Sequence, residues 1–506
     1  MMHTHDGLMH MARTASYLKA LESGQIMPRW AGDLNYGYGM PLFNFYYHIP
    51  YLIGSVFLAL GTTLTLSFKL TLFLGFILSG VFMFLFAKKF FADNTKALLT
   101  ALLYQFAPFH MVDLTVRGDT GEILAMTFFP LALFAILTGS VPLLGTATAL
   151  MILSHSAVSL QYFAVLTLFA VLFSKRRIRA FIGLFTGLCI SAFYWLPVVF
   201  ERKYTYGDLF MKDMYKTQFP PFFHFFIPNF TNSASLLTGG INVSFGLVGT
   251  GALLLAIALL LRNKLAASEK KTLWFSIFLV AASLFFMTQA SAFVWSRVSI
   301  LRAFQFPWRF LVVSVFALAF LGGATFVGKK SSPWLTAFII AVTLLNVLVY
   351  FRPPLGFDRI NEAYYRNYPL DTTYFGETNL VWSAGHESSY PKAPFVLIAG
   401  RGVISDITKT EIRHTFTVTA KTSVTVLDNT QYYPGWRVYD GDTKIPIEFQ
   451  NPDHRGLITF ALPPGTHHIA VSFGETPVRA VSDIISVASV ITILFLMLLP
   501  RKRHTP

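Results

Sequence analysis

The stretch Phe68-Lys69-Leu70-Thr71-Leu72-Phe73-Leu74-Gly75-Phe76-Ile77-Leu78-Ser79-Gly80-Val81-Phe82-Met83-Phe84-Leu85-Phe86-Ala87 carries one charge and ends on Lys88-Lys89. A bilayer core needs roughly 17–25 apolar residues in a helix, so this run predicts a membrane span. Ten more such runs follow, at about 95–112, 122–138, 141–155, 157–174, 180–199, 246–262, 272–289, 308–328, 333–350 and 483–500. The apolar segment 49–60 is too short to cross and reads as a helix lying in the interface. Of the 506 residues, 54% are hydrophobic and 13% charged, against about 25% charged in a soluble domain. The predicted fold class is an α-helical polytopic membrane protein of about eleven spans.

Charge placement sets the orientation. If the first fifty residues lie outside, every dense basic run falls inside: Lys88, Lys89 and Lys96; Lys175, Arg176, Arg177 and Arg179; Arg262, Lys264, Lys270 and Lys271; Lys329 and Lys330; Arg501, Lys502 and Arg503. That is the positive-inside pattern. It also explains the net charge of +15 without nucleic acid, which is excluded as a partner. A chain starting outside predicts a further helix upstream of Met1, since the first twenty residues lack the apolar core of a signal peptide. The lone Cys189 rules out an internal disulfide and a thiolate metal site.

Four regions follow. Residues 1–67 form the first external loop, 68–350 the helix bundle, 351–482 an extracytoplasmic domain, and 483–506 a last span with a basic tail. Period-two alternation begins at 394, in Phe395-Val396-Leu397-Ile398, Thr415-Phe416-Thr417-Val418, Leu457-Ile458-Thr459-Phe460 and His468-Ile469-Ala470-Val471. With Asp440-Gly441 as a hairpin turn, it predicts a small antiparallel β-sandwich. Residues 351–393 have no clear period and read as loop with short helices.

Chemistry points to the first loop. There His5-Asp6-Gly7 and His10 precede the Gly- and Pro-rich runs Gly24–Trp30 and Gly37–Phe43. A carboxylate at the outer end of a bundle, between two histidines, suits a general base that deprotonates a hydroxyl. The plainer reading makes Asp6 the N-cap of a helix over about 7–23. A second cluster, Arg117-Gly118-Asp119-Thr120-Gly121-Glu122, lies on the same face. Glu122 reads either as a helix-dipole partner or, with Arg117, as part of a phosphate-binding group. Arg297, Arg302 and Arg309 with Trp308 form a third group suited to a lipid phosphate; non-specific contact with anionic headgroups is its alternative. Glu201, Arg202 and Lys203 are weaker candidates for that rim, and His155 reads as structural. The first external loop has no Asp-x-Asp, no helix carries His-x-x-x-His, and no Gly-rich phosphate loop lies between strand and helix, so no metal and no cofactor are expected.

Several of these runs resemble a bacterial membrane family that carries the label "6-pyruvoyl-tetrahydropterin synthase-related". They are His5–His10, Gly24–Trp30, Gly37–Tyr46, Tyr104–His110, Arg117 with Glu122, and Gln305–Phe310. The architecture is similar to GT-C glycosyltransferases, whose first external loop carries an acidic residue. The tail, with Tyr432–Val438 and Leu462–His467, looks like the terminal domain of a related envelope-glycosylating family. The resemblance implies sugar transfer from a polyprenyl-phosphate donor to a glycan, lipid or protein acceptor outside the cytoplasmic membrane. It makes Asp6 the catalytic base, and Arg117, Glu122 and Arg309 match its motifs; the reading of the residues themselves adds His5, His10, Asp119, Arg297, Arg302 and Trp308 to these three as candidates for binding substrate. Trp436 would stack on acceptor glycan or, as is commoner in a small sandwich, lie in the core. Two rival readings are a flippase for lipid-linked glycan and a non-catalytic glycan-binding scaffold.

Overall fold

The computed structural model describes residues 1–227, 241, 243–326, 333–351, 356–368, 376–383, 385 and 387–498. The basic runs Lys329-Lys330 and Arg501-Lys502-Arg503, and part of the 200–245 segment, lie outside them. Among the described residues, each of the eleven apolar runs is largely helical. Six helices are long and apolar enough to cross a membrane: Leu64–Phe91, Thr120–Thr138, Ser156–Phe173, Ala267–Met287, Pro307–Thr325 and Pro477–Leu498. Counting each of two bent pairs as one span brings the number to eight. Helices Val141–Ile152, Gly246–Leu261 and Pro333–Val347 are shorter.

The bends have local causes. Pro108 starts a new helix after Gln105, and the residue before it is held extended (ψ +141°), giving a 47° break. The second pair, Arg177–Ile190 with Ala192–Tyr204, turns by 66° at Ser191. There the Phe193 N–H donates to Ser486 Oγ of the last helix at 2.8 Å, so a backbone donor freed by the bend stays satisfied.

One end of the helix bundle is built from residues 1–67. Helix Gly7–Glu22 packs beside the short helix Ile49–Ala59, where Ser55 Oγ donates to the Thr14 carbonyl at 3.3 Å. Between them the chain is irregular. Gly39, at φ +75°, lies against the Trp30 indole so closely that a Cβ would fall 2.6 Å from the ring, which only glycine tolerates.

The β domain forms two antiparallel sheets, β1-β4-β7 and β2-β3-β8-β5-β6, from β1 Phe395–Ala399, β2 Gly402–Lys409, β3 Arg413–Ala420, β4 Val424–Gln431, β5 Trp436–Asp440, β6 Thr443–Ile445, β7 Leu457–Leu462 and β8 Gly465–Phe473. The β5–β6 hairpin closes through Gly441 at φ +54°, with Asp440 facing Thr443. Both sheets share one core, and Trp30 of the first loop belongs to it. Trp436 is buried there, its ring 5.4 Å from Trp30, so the glycan-stacking reading of Trp436 is corrected to a core role. The last helix begins at Pro477, six residues before the expected 483, and takes in the buried Arg479.

Candidate active site

Asp6 is positioned by backbone. The His5 N–H donates to the Val116 carbonyl at 3.0 Å and the Asp6 N–H to the Arg117 carbonyl at 2.9 Å. This ties the start of the chain to a π-helical turn, Asp113–Arg117. Gly118 then adopts φ +65°, and Asp119 caps the next helix by accepting from Gly121 and Glu122 N–H groups, both at 2.9 Å. The capping reading of Asp6 is not what its side chain does: no capping bond forms, and Thr4 Oγ1 accepts from Gly7 N instead.

Arg117 stands at the centre. Its guanidinium lies 2.5 Å from Asp113, 2.7 Å from Glu122, 3.0 Å from Asp119 and 4.0 Å from Asp6. Arg309 holds the other Glu122 oxygen at 2.6 Å and donates to the Phe304 carbonyl at 2.9 Å. Trp308 lies behind, its ring 5.1 Å from the Arg117 guanidinium. His10 Nε2 approaches Asp119 at 4.0 Å and His155 Nε2 approaches Glu122 at 3.7 Å.

These groups wall a cavity of ≈ 430 Å³ whose lining includes Asp6, His10, Arg13, Tyr46, Tyr47, Arg117, Asp119, His155, Arg309 and Glu377. That volume suits a small ligand. Burial pushes the Asp6 carboxyl up to about 6; Arg117 opposes the shift and Asp119 adds to it. Burial holds His10 down to about 3, so it is neutral at pH 7.

Of the expected residues, Asp6, His10, Arg117, Asp119 and Arg309 line the cavity, and Glu122 and Trp308 back it. His5 does not line it. Arg297 and Arg302 are elsewhere: they fold back onto the carbonyls of Phe293 and Ser296. The chain reverses at Gln305 (φ +63°), which separates them from Arg309. Glu201 is also apart, buried against Arg479 at 3.0 Å, whereas Arg202 reaches the cavity rim.

Three residues escaped the sequence reading. Arg13 follows His10 by three on the same helix and stacks over the Tyr46 ring at 4.2 Å; that spacing was the available signal. Tyr46 donates to Glu377 at 2.7 Å. Asp113, just past the predicted span 95–112, lies four residues before Arg117, and that spacing was its available signal.

Asp119, Glu122 and His155 each offer a ligand atom within 4.8 Å of the others. They do not fit a divalent cation as arranged, because both carboxylates already hold guanidiniums at 2.6 to 3.0 Å and a metal would sit against those positive charges.

One relative, an uncharacterized protein of Lactococcus lactis subsp. cremoris (strain MG1363), is 28% identical over 127 residues, which is 24% of this chain and 21% of the relative. No family model and no solved structure matches.

Proposed function

We propose that the chain is an inverting membrane glycosyltransferase of the GT-C kind, working at the outer face of the cytoplasmic membrane. Its donor is a sugar on polyprenyl phosphate, and its acceptor an envelope glycan, lipid or protein. The observation that carries this reading is a carboxylate, Asp6, with its pKa raised to about 6, on the wall of a ligand-sized cavity that guanidiniums also line. A base poised near neutrality is what acceptor deprotonation requires.

In this mechanism the acceptor hydroxyl gives its proton to Asp6 as its oxygen bonds to the anomeric carbon. The bond from that carbon to the phosphate oxygen breaks, and the electron pair leaves on the phosphate. Arg13 and Arg309 face the cavity as cations for that leaving group. Glu122 and Asp113 hold Arg117 in place.

The two bent helix pairs favour a second reading, a flippase for lipid-linked glycan, since broken helices are a transporter feature. One experiment separates the two. Membranes containing the chain are given radiolabelled polyprenyl-phosphate sugars, and label in envelope material is counted for wild type and Asp6→Asn. Transfer that disappears in the variant supports the glycosyltransferase. Label that crosses the bilayer equally in both, with no transfer in either, moves the assignment to transport.

A further inference from the structure

The segment from Arg202 to Phe226 has two faces. Its inner face, with Met211, Met214 and Gln218, walls the cavity. Its outer face exposes Leu209, Phe210, Phe222 and Phe223, the last by 72%. Tyr215 fastens it to helix Ala292–Arg297 by stacking on Trp295 at 5.4 Å. That neighbouring helix in turn exposes Phe293, and Ile300 is exposed just beyond it.

Two features converge on the outer face. One is an open groove of ≈ 750 Å³ lined by Phe219, Pro221, Phe222, Leu284, Phe285 and Thr288, between this segment and helix Ala267–Met287. The other is a set of cations: Lys212, Lys216 and Arg302 around Asp213, with the exposed Arg297 five residues before Arg302. Asp213 pairs with Lys216 at 2.9 Å and feels Lys212 and Arg302 electrostatically. The Arg302 Nε has no hydrogen-bond partner among the described residues. Cations at one end and an apolar trough at the other match the shape of an amphiphile.

We propose that this face docks an anionic phospholipid of the surrounding bilayer, with the phosphate among the four cations and one acyl chain in the groove. Charge complementarity selects the occupant, since an excess of exposed cations beside an apolar trough favours anionic over zwitterionic headgroups. The site lies outside the cavity and stands whether or not Asp6 is a base. Because one segment forms both walls, lipid seated here holds the cavity wall in place.

The test uses the full chain in nanodiscs, without any sugar donor. Phosphatidylglycerol and phosphatidylcholine probes, each with a photoreactive group on the acyl chain, are crosslinked and the labelled peptides mapped. Phosphatidylglycerol should label residues 219–223 and 281–288 in preference to phosphatidylcholine. Arg297→Gln with Arg302→Gln should cut that labelling by about 25-fold, at about fivefold per cation. Lys88→Gln with Lys89→Gln removes as much charge from the last turn of helix Leu64–Phe91, which does not line the groove, and should change nothing. Lys216→Gln, at an exposed residue, should cost about fivefold on its own and serves if the double variant unfolds. Equal labelling by both lipids, or undiminished labelling in Lys216→Gln, overturns the proposal.

Discussion

Two buried ionic clusters tie the N-terminal segment to the rest of this molecule, and they are built differently. In one, Glu201 accepts from Asn44 and Tyr433 at 2.8 Å each, from Thr476 at 2.7 Å and from Arg479 at 3.0 Å. Arg479 gives its remaining donors to backbone carbonyls, including that of Pro434 at 2.8 Å. In the other, Asp6, Asp113, Asp119 and Glu122 crowd around Arg117 and Arg309, and buried atoms such as Asp113 Oδ2 and Arg117 Nε have no hydrogen-bond partner among the described residues. Asp6, 26% exposed, lies no nearer than 4.0 Å to Arg117. The first cluster is matched and closed; the second has acid to spare and opens on a cavity. Matched charge fastens a structure, and unmatched charge beside a cavity is where proton chemistry is to be sought.

That contrast breaks most sharply at Asp6. Asp6→Asn should lower sugar transfer by about 10²–10⁴, the usual contribution of a general base, while thermal unfolding stays at or above wild type. A comparable drop in unfolding temperature would put Asp6 with the fastening cluster. Arg479→Met should do the reverse. Stranding Glu201 without its cation should cost about 3–5 kcal/mol of stability, and activity per folded molecule should hold.

pH gives the next test. In the folded chain the Asp6 carboxyl holds its proton up to about 6, above its usual 3.8. The folded state therefore binds that proton more tightly than the unfolded chain does. Its contribution to stability is present at low pH and is lost as pH rises from about 4 to about 6. Transfer should move the opposite way, falling about tenfold per unit below pH 6 as the base is protonated. Neither trend should survive in Asp6→Asn, by pH–rate profile and pH-dependent melting. The smallest effect belongs to Tyr433→Phe. It removes one of three donors to Glu201 Oε2 and should cost about 1 kcal/mol or less in a melting experiment.

Much of the fold was legible because hydropathy and period are local. The run at 68–87 marked helix Leu64–Phe91, and alternation at 415–418 marked β3. The bends were not legible, because a length criterion passes over a Pro108 that restarts a helix inside an apolar run. The start of the last helix was misplaced for a related reason. Arg479 reads as polar and external, yet it is buried in helix Pro477–Leu498 because Glu201, far away in sequence, neutralises it. In the site, Asp6, Arg117 and Glu122 were found because they cluster at the edges of spans. Arg297 and Arg302 were grouped with Arg309 on proximity in sequence, which the reversal at Gln305 undoes. The pairing of Arg117 with Asp113 follows an i,i+4 spacing, but that of Arg309 with Glu122 is set by packing between distant elements, and no spacing rule encodes it.

Trp30, packed against Trp436 inside the β domain, carries a consequence for how the chain is made. The ribosome produces the first loop early, but its indole finds its place only after about 400 more residues have been added, a wait of about 20–80 s at bacterial rates. Through that interval the loop stays unlatched above a half-built bundle. Glu377, which contributes to the cavity and binds Tyr46, arrives late as well. A nascent chain therefore has no finished pocket before translation is nearly over.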